Sequence, residues 1–132
     1  MRKYVPDDAI YTKEHLWLRF EGKKVCIGIT EYLAEEIGRV TELDLPEEDD
    51  EIDFETEFGF IAGKNNNGMD LFSPLSGTIA EVNAEAMENP KLVSDDPYDE
   101  GWLVVLKGVN KDELEEPMTA EEYGEYLQGL EE

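Results

Sequence analysis

The pattern of hydrophobic and polar positions in the first part of the chain predicts a β-hairpin. Leu16–Phe20 and Val25–Ile29 are rich in aliphatic, aromatic and β-branched residues, which favour strands. The polar segment between them, Glu21–Lys24, contains a glycine and is typical of a hairpin turn. We therefore expect the two strands to pair antiparallel.

A short helix is predicted directly after this hairpin. The hydroxyl of Thr30 is suited to cap the first turn, and apolar residues recur at helical spacing within Glu31–Ile37. Gly38 follows at the position where glycine commonly ends a helix. The pattern thus places one helix, bounded on both sides, within a chain that otherwise predicts strands.

The middle of the chain alternates strand-like and turn-like segments. Further strands are predicted at residues 52–54, 58–62, 70–72, 77–82 and 102–106. Between the second and third of these, Gly63–Gly68 is a turn on composition, and Asn67–Gly68 favours a tight hairpin turn because both residues tolerate positive φ.

The end of the chain predicts helical structure. Asn110 with Glu113 suggests a short capped turn, and Thr119 with Glu122 forms a capping-box pattern. The helix that follows has one apolar face, formed by Tyr123, Tyr126, Leu127 and Leu130. We therefore expect one domain over residues 1–132, mostly β, built as a barrel or sandwich with one short inserted helix and a C-terminal helix.

Composition narrows the possible functions. The formal charge of -23 disfavours nucleic acid and anionic membrane as partners. One histidine and one cysteine exclude metal sites built from several such ligands, and the lone cysteine fits a reducing, cytoplasmic compartment. No nucleophile, base and orienting group occur together, so we expect a protein without catalytic residues. We separately expect it to be a monomer.

The densest negative charge lies in residues 42–57, which hold ten carboxylates. Such a block is usually a solvated face or loop. The alternative is an acidic surface that docks a partner. A calcium loop is not indicated, because the segment lacks the alternating ligand spacing and central glycine.

Lys64 is the candidate for chemistry because of its position. It is the only lysine between Lys24 and Lys91, and it lies in the most turn-like segment of the chain. An exposed lysine is a poor nucleophile at neutral pH, but it is a good acceptor for an enzyme that attaches a cofactor. We also expect His15 to pack or hydrogen-bond, and Cys26 to be a buried, inert thiol.

Short motifs spread over nearly the whole chain occur together in one order. They are Tyr11–His15 with Trp17, Cys26–Glu31, Ile37–Gly38, Leu45–Pro46, Glu57–Gly59, Asp70–Gly77, Val82–Asn83, Asn89–Pro90, Leu92–Val93, Pro97–Tyr98 and Gly101–Trp102. In this combination the chain resembles the H protein family of the glycine cleavage system. The resemblance implies a hybrid of barrel and sandwich, like lipoyl and biotinyl carriers, with a C-terminal helix.

The resemblance also implies a function. Such a protein is a carrier: lipoate is attached as an amide to one lysine, and an aminomethyl group moves on that arm. The implied partners are glycine decarboxylase, aminomethyltransferase, dihydrolipoyl dehydrogenase and the enzyme that attaches lipoate. By resemblance, Lys64 is the attachment residue, and Glu14, His15, Tyr32 and Asp70 line a possible cleft for the arm.

The segment around Lys64 departs from the family pattern. Counting back from Pro74 at the family's spacing selects Asn66, and counting forward from Phe58–Gly59 selects Asn65. Lys64 therefore fits only if the turn after it is enlarged by about two residues. The family's usual valine-lysine-alanine is here glycine-lysine-asparagine.

Three polar positions of the family pattern are also changed. Ile61 stands where glutamate usually precedes the lysine, Leu16 where glutamate follows the histidine, and Tyr32 where histidine is common, whereas Asp70 is retained. A charged group held in a cleft needs hydrogen-bond acceptors, and Leu16 offers none.

Three functions therefore remain open from the sequence. The first is an H-protein-like lipoyl carrier that uses Lys64. The second is a binding module of the same fold without a cofactor, which docks a partner through its acidic face. The third is a carrier of another lysine-linked group such as biotin, although Met69 lies too far from Lys64 to match the usual biotin context.

Overall fold

The computed structural model of the protein describes residues 6–131. Its strands are β1 (Ile10–Tyr11), β2 (Leu16–Glu21), β3 (Lys24–Ile29), β4 (Val40–Asp44), β5 (Glu51–Ile52), β6 (Glu57–Gly63), β7 (Asn66–Phe72), β8 (Gly77–Val82) and β9 (Val104–Lys107). Its helices are α1 (Glu31–Ile37), α2 (Ala84–Glu88), α3 (Lys91–Asp95) and α4 (Ala120–Glu131), with a 3-10 turn at Lys111–Glu113. The mostly β architecture predicted from the sequence is confirmed.

The strands form two antiparallel sheets. One contains six strands in the order β1-β2-β3-β9-β8-β5, and the other contains three in the order β4-β6-β7. Aliphatic side chains from both sheets form one core, including Leu18, Ile27, Ile61 and Ile79, which are all fully buried. Burial of this apolar surface is the main term that holds the sheets together.

Helix α1 begins and ends at the predicted residues because its signals are local. The Thr30 side chain accepts a hydrogen bond from the Leu33 amide, and Gly38 ends the helix at φ 81°. Ile37, at the end of its apolar face, is fully buried in the core. The helix is therefore fixed between β3 and β4, with its C-terminus held inside the molecule.

Several elements differ from the prediction. The sequence pattern did not predict β1, β4, α2 or α3, the strand expected at 52–54 is only Glu51–Ile52, and the last strand begins at Val104. Helices α2 and α3 have five residues each, too few for a clear periodic signal. They depend on tertiary contacts, since Ala86 and Val93 are fully buried.

The C-terminal helix packs on a second, aromatic cluster. Thr119 and Glu122 exchange the two hydrogen bonds of the predicted capping box. Tyr123 is fully buried and stacks on Tyr11 with ring centroids 4.8 Å apart. The apolar face is shorter than predicted, because Leu130 is 45% exposed.

Candidate functional site

Lys64 lies at the tip of the β6–β7 hairpin. The two-residue turn consists of Lys64 and Asn65, and Gly63 pairs with Asn66 across it. The Lys64 side chain is exposed, and none of the ion pairs formed within residues 6–130 involves it. The expectation that Asn67–Gly68 forms the turn is therefore wrong, since both residues lie in β7.

A β-bulge in β7 adds one residue after Lys64, about half of the extra length expected there. Ile61 pairs with Met69 and Gly63 with Asn66, so that two residues of β7 oppose one residue of β6. Gly68, within the bulge, has φ 145°, and a Cβ placed there would lie 2.3 Å from the Phe60 ring. The expectation of an enlarged turn is therefore wrong, because the turn has only two residues and the one additional residue lies in the strand that follows.

The backbone of the tip is bound to the segment that joins α1 to β4. The Lys64 amide donates to the Arg39 carbonyl at 3.1 Å, and the Asn65 amide donates to the Ile37 carbonyl at 2.8 Å. We call these two hydrogen bonds the tip clamp. They fix the backbone of the turn and leave the lysine side chain in solvent.

Two of the expected cleft residues, His15 and Tyr32, are in contact. Their ring centroids are 4.5 Å apart, and His15 Nδ1 lies 2.8 Å from the hydroxyl oxygen of Tyr123. Burial lowers the pKa of His15 from its ordinary value, and the nearby carboxylate of Glu36 opposes that shift. The sequence identified His15 and Tyr32 as site residues and placed Tyr123 on the apolar face of the C-terminal helix, but it did not predict that Tyr123 contacts His15, 108 residues away.

Helix α1 connects this contact to the lysine. Tyr32 is in the first turn of α1, and the Ile37 carbonyl at its end belongs to the tip clamp. At a rise of about 1.5 Å per residue, the two positions are separated by about 8 Å along the helix. The tip and the His15–Tyr32 pair therefore lie at the two ends of one short helix.

Glu14 and Asp70 are exposed and do not join the His15–Tyr32 contact. Glu14 lines a small pocket of about 40 Å³ together with Phe72, the last residue of β7. Asp70 pairs with Phe60 across the hairpin, and no hydrogen bond or ion pair within residues 6–131 connects it to the other expected cleft residues. The four residues thus border the hairpin and α1 without forming one cluster.

The other candidate groups are placed as follows. Cys26 is half-buried in β3, and burial raises the pKa of its thiol to about 11, which disfavours the reactive thiolate. All ten carboxylates of residues 42–57 are exposed.

Within residues 6–131, no group of His, Cys, Asp or Glu side chains is arranged to hold a metal ion, and no helix is long and apolar enough to cross a membrane.

Comparison with known proteins assigns the family. The family model described as glycine cleavage H-protein matches residues 9–130. The chain belongs to this family. The H protein family is a carrier family, and its members are in general lipoate carriers.

Individual H proteins match over nearly their whole length. The chain is 39% identical to the glycine cleavage system H protein of Halothermothrix orenii over 128 residues, which is 96% of this chain and 98% of that protein. It is also 39% identical to the H protein of Bacillus pumilus over 120 residues, covering 91% and 94% of the two chains.

A solved H-protein structure shares the fold. The crystal structure of a glycine cleavage system H protein from Mycobacterium marinum superimposes with a TM-score of 0.83 at 30% identity, covering 94% of this chain and 99% of that one. The expected barrel-sandwich hybrid is therefore confirmed. Of the functions left open by the sequence, the comparisons support the lipoyl-carrier role in glycine cleavage.

Proposed function

We propose that Lys64 carries lipoate as an amide and that the protein moves an aminomethyl group between the enzymes of glycine cleavage. The observation that carries this proposal is the exposed Lys64 side chain on a two-residue turn whose backbone is held by the tip clamp. Family membership over residues 9–130 supports the cofactor and the pathway.

The residues around Lys64 fit an attached lipoyl group. Within residues 6–130, no carboxylate holds the amine in an ion pair, so forming the amide breaks no such interaction there. The tip clamp uses backbone atoms only, and it is therefore compatible with a modified side chain. When attached, lipoate supplies a dithiolane that accepts and releases the carried group, whereas the protein supplies presentation.

The partners proposed for this carrier are glycine decarboxylase, aminomethyltransferase, dihydrolipoyl dehydrogenase and a lipoate-attaching enzyme. We further propose that it acts in the cytoplasm as a monomer. The net charge of -23 supports the monomer, because like-charged copies repel one another.

Intact mass spectrometry tests the attachment site. The protein is expressed with a lipoate ligase and free lipoate, alongside Lys64→Arg and Lys23→Arg, the latter removing an exposed lysine from the turn of another hairpin. We expect one lipoyl increment in the wild type and in Lys23→Arg, and none in Lys64→Arg. An increment that persists in Lys64→Arg, or a wild type that is never modified, contradicts the proposal.

A further inference from the structure

The turn that carries Lys64 is bound to the body of the protein rather than projecting freely. In a two-residue hairpin turn, the amides of both turn residues have no partner within the hairpin itself. Here both amides are bound, because Lys64 donates to Arg39 and Asn65 donates to Ile37. If the turn moved away from the α1–β4 segment, both amides would need water as their hydrogen-bond partner. The clamp therefore favours the one orientation of the turn in which both amides are bound by the protein.

Two glycines make the clamp possible. A Cβ on Gly63 would lie 2.7 Å from the Ile37 carbonyl oxygen and 2.8 Å from that of Arg39, which are the two acceptors of the clamp. A Cβ on Gly38 would lie 2.8 Å from Nδ2 of Asn65, and Gly38 also requires φ 81°. A side chain at either glycine therefore forces the tip and the α1–β4 segment apart.

The segment that accepts the tip is itself fixed from the other side. The Ser94 hydroxyl, on α3, accepts a hydrogen bond from the Val40 amide at 2.7 Å and lies 3.4 Å from the Gly38 carbonyl. The acceptors of the clamp are thus held between the hairpin tip on one face and α3 on the other. The mobile part of the proposed arm begins at the Lys64 side chain and not at the hairpin.

We propose that Gly63 and Gly38 are positioning residues for the modification of Lys64. They allow the tip clamp, and the clamp holds the turn in the single orientation that the lipoate-attaching enzyme binds. This inference rests on the proposed function of Lys64 and adds to it the determinant of recognition.

The expected effect is on substrate binding. If only a fraction of molecules has the turn in the binding-competent orientation, the apparent dissociation constant rises by the inverse of that fraction. A clamp that is closed about one tenth of the time therefore raises KM about tenfold. The rate constant kcat stays within about twofold, because the lysine side chain that reacts is the same in every bound complex.

The test compares Gly63→Ala with Gly124→Ala, a matched change at a helix glycine where an added Cβ has no neighbour within 4 Å. Lipoate ligase, ATP and free lipoate are used to measure KM and kcat for each full-length protein. Amide hydrogen exchange at Lys64 and Asn65 reports the clamp independently of the reaction. We expect Gly63→Ala to lose protection at both amides and to show the rise in KM, and Gly124→Ala to resemble the wild type.

A second pair of variants covers the case in which Gly63→Ala fails to fold. Gly38→Ala is compared with Gly22→Ala, since both glycines have positive φ but only Gly38 faces the tip. Loss of amide protection with an unchanged KM overturns the inference alone, as does a wild type whose two amides exchange freely. A wild type that the ligase never modifies overturns the proposed function and this inference together.

Discussion

Two hairpins of this protein end in two-residue turns that carry an exposed lysine, yet they are built differently. The β2–β3 hairpin keeps an unbroken register over six residue pairs, and its turn is Gly22–Lys23. The β6–β7 hairpin shifts register twice, and its turn is bound by the tip clamp. Exposure at a turn is therefore not what distinguishes Lys64 from Lys23.

The difference shows what each hairpin contributes. Both hairpins contribute to the core, the β2–β3 hairpin through Leu18 and Ile27 and the β6–β7 hairpin through Ile61 and Leu71. The β6–β7 hairpin has a less regular pairing, and its tip is bound to the end of α1 and to the segment that joins α1 to β4. Substitutions that disturb the packing of either hairpin should therefore alter stability, whereas only substitutions that disturb the tip clamp should also alter how the lysine is presented.

The largest expected effect is that of Gly28→Ala in β3. The new Cβ would lie 2.4 Å from the Trp17 ring, which is fully buried and donates a hydrogen bond to the Pro97 carbonyl at 2.8 Å. Because the ring cannot move away, we expect the free energy of unfolding to fall by about 3 kcal/mol in urea denaturation. The KM for lipoylation of the folded protein should not change, and a change in it would break the distinction between the two hairpins.

Gly68→Ala in the bulge of β7 should have a smaller effect. Both the φ of 145° and the Phe60 ring oppose a side chain, but Phe60 is partly exposed and its ring can turn outward. We expect a loss of about 2 kcal/mol in the free energy of unfolding. Gly129→Ala, where an added Cβ meets nothing within 4 Å, is the control. Equal stability of the two variants would show that the bulge does not need glycine.

Gly22→Ala, at the open turn, should cost less again. Gly22 has φ 63° and no atom within 4 Å of an added Cβ, so only the backbone conformation opposes the change. We expect a loss of about 1 kcal/mol, measured by urea denaturation. Gly22→Asn should recover part of this loss, because asparagine tolerates positive φ. An asparagine variant no more stable than the alanine variant would contradict this explanation.

The smallest effect concerns His15, just before β2. Its pKa in the folded protein is below the ordinary value, so the unfolded chain binds the proton more readily. The stability contributed by neutral His15 is therefore present above the unfolded pKa and is lost as the pH falls through the folded pKa. The chain has one histidine, so NMR titration of its ring protons gives the folded pKa directly. Glu36→Gln should lower that pKa further, whereas a rise would contradict the assigned cause.

The sequence predicts those elements whose signals are local. Helix α1 follows from Thr30 and Gly38, and the β2–β3 hairpin follows from a glycine-containing turn between two apolar runs. Strand β4 could not be predicted in this way, because a register shift between Val40 and Glu42 disrupts its alternation. The family resemblance supplied the overall architecture that local patterns alone left open between barrel and sandwich.

The candidate site was predicted only in part. The sequence placed Lys64 in a turn-like segment, but it could not show whether Gly68 lies in a turn or in a β-bulge. That choice depends on the approach of Gly68 to Phe60, which the fold decides. The sequence contains no signal for the tip clamp, because the acceptors of its two hydrogen bonds are backbone carbonyls, which every residue carries.

The bulge at Gly68 lets this hairpin change length at little structural cost. Pairing resumes at Met69, and Leu71 remains 2% exposed in the core, so the additional residue does not remove the strand from the core. Homologous hairpins can therefore differ by one residue between the lysine and the proline that follows the strand. Counting back from Pro74 stops at Asn66, two residues short of Lys64, and the bulge accounts for one of these two residues. Superposition of the turns is therefore a better guide to the equivalent residue than counting.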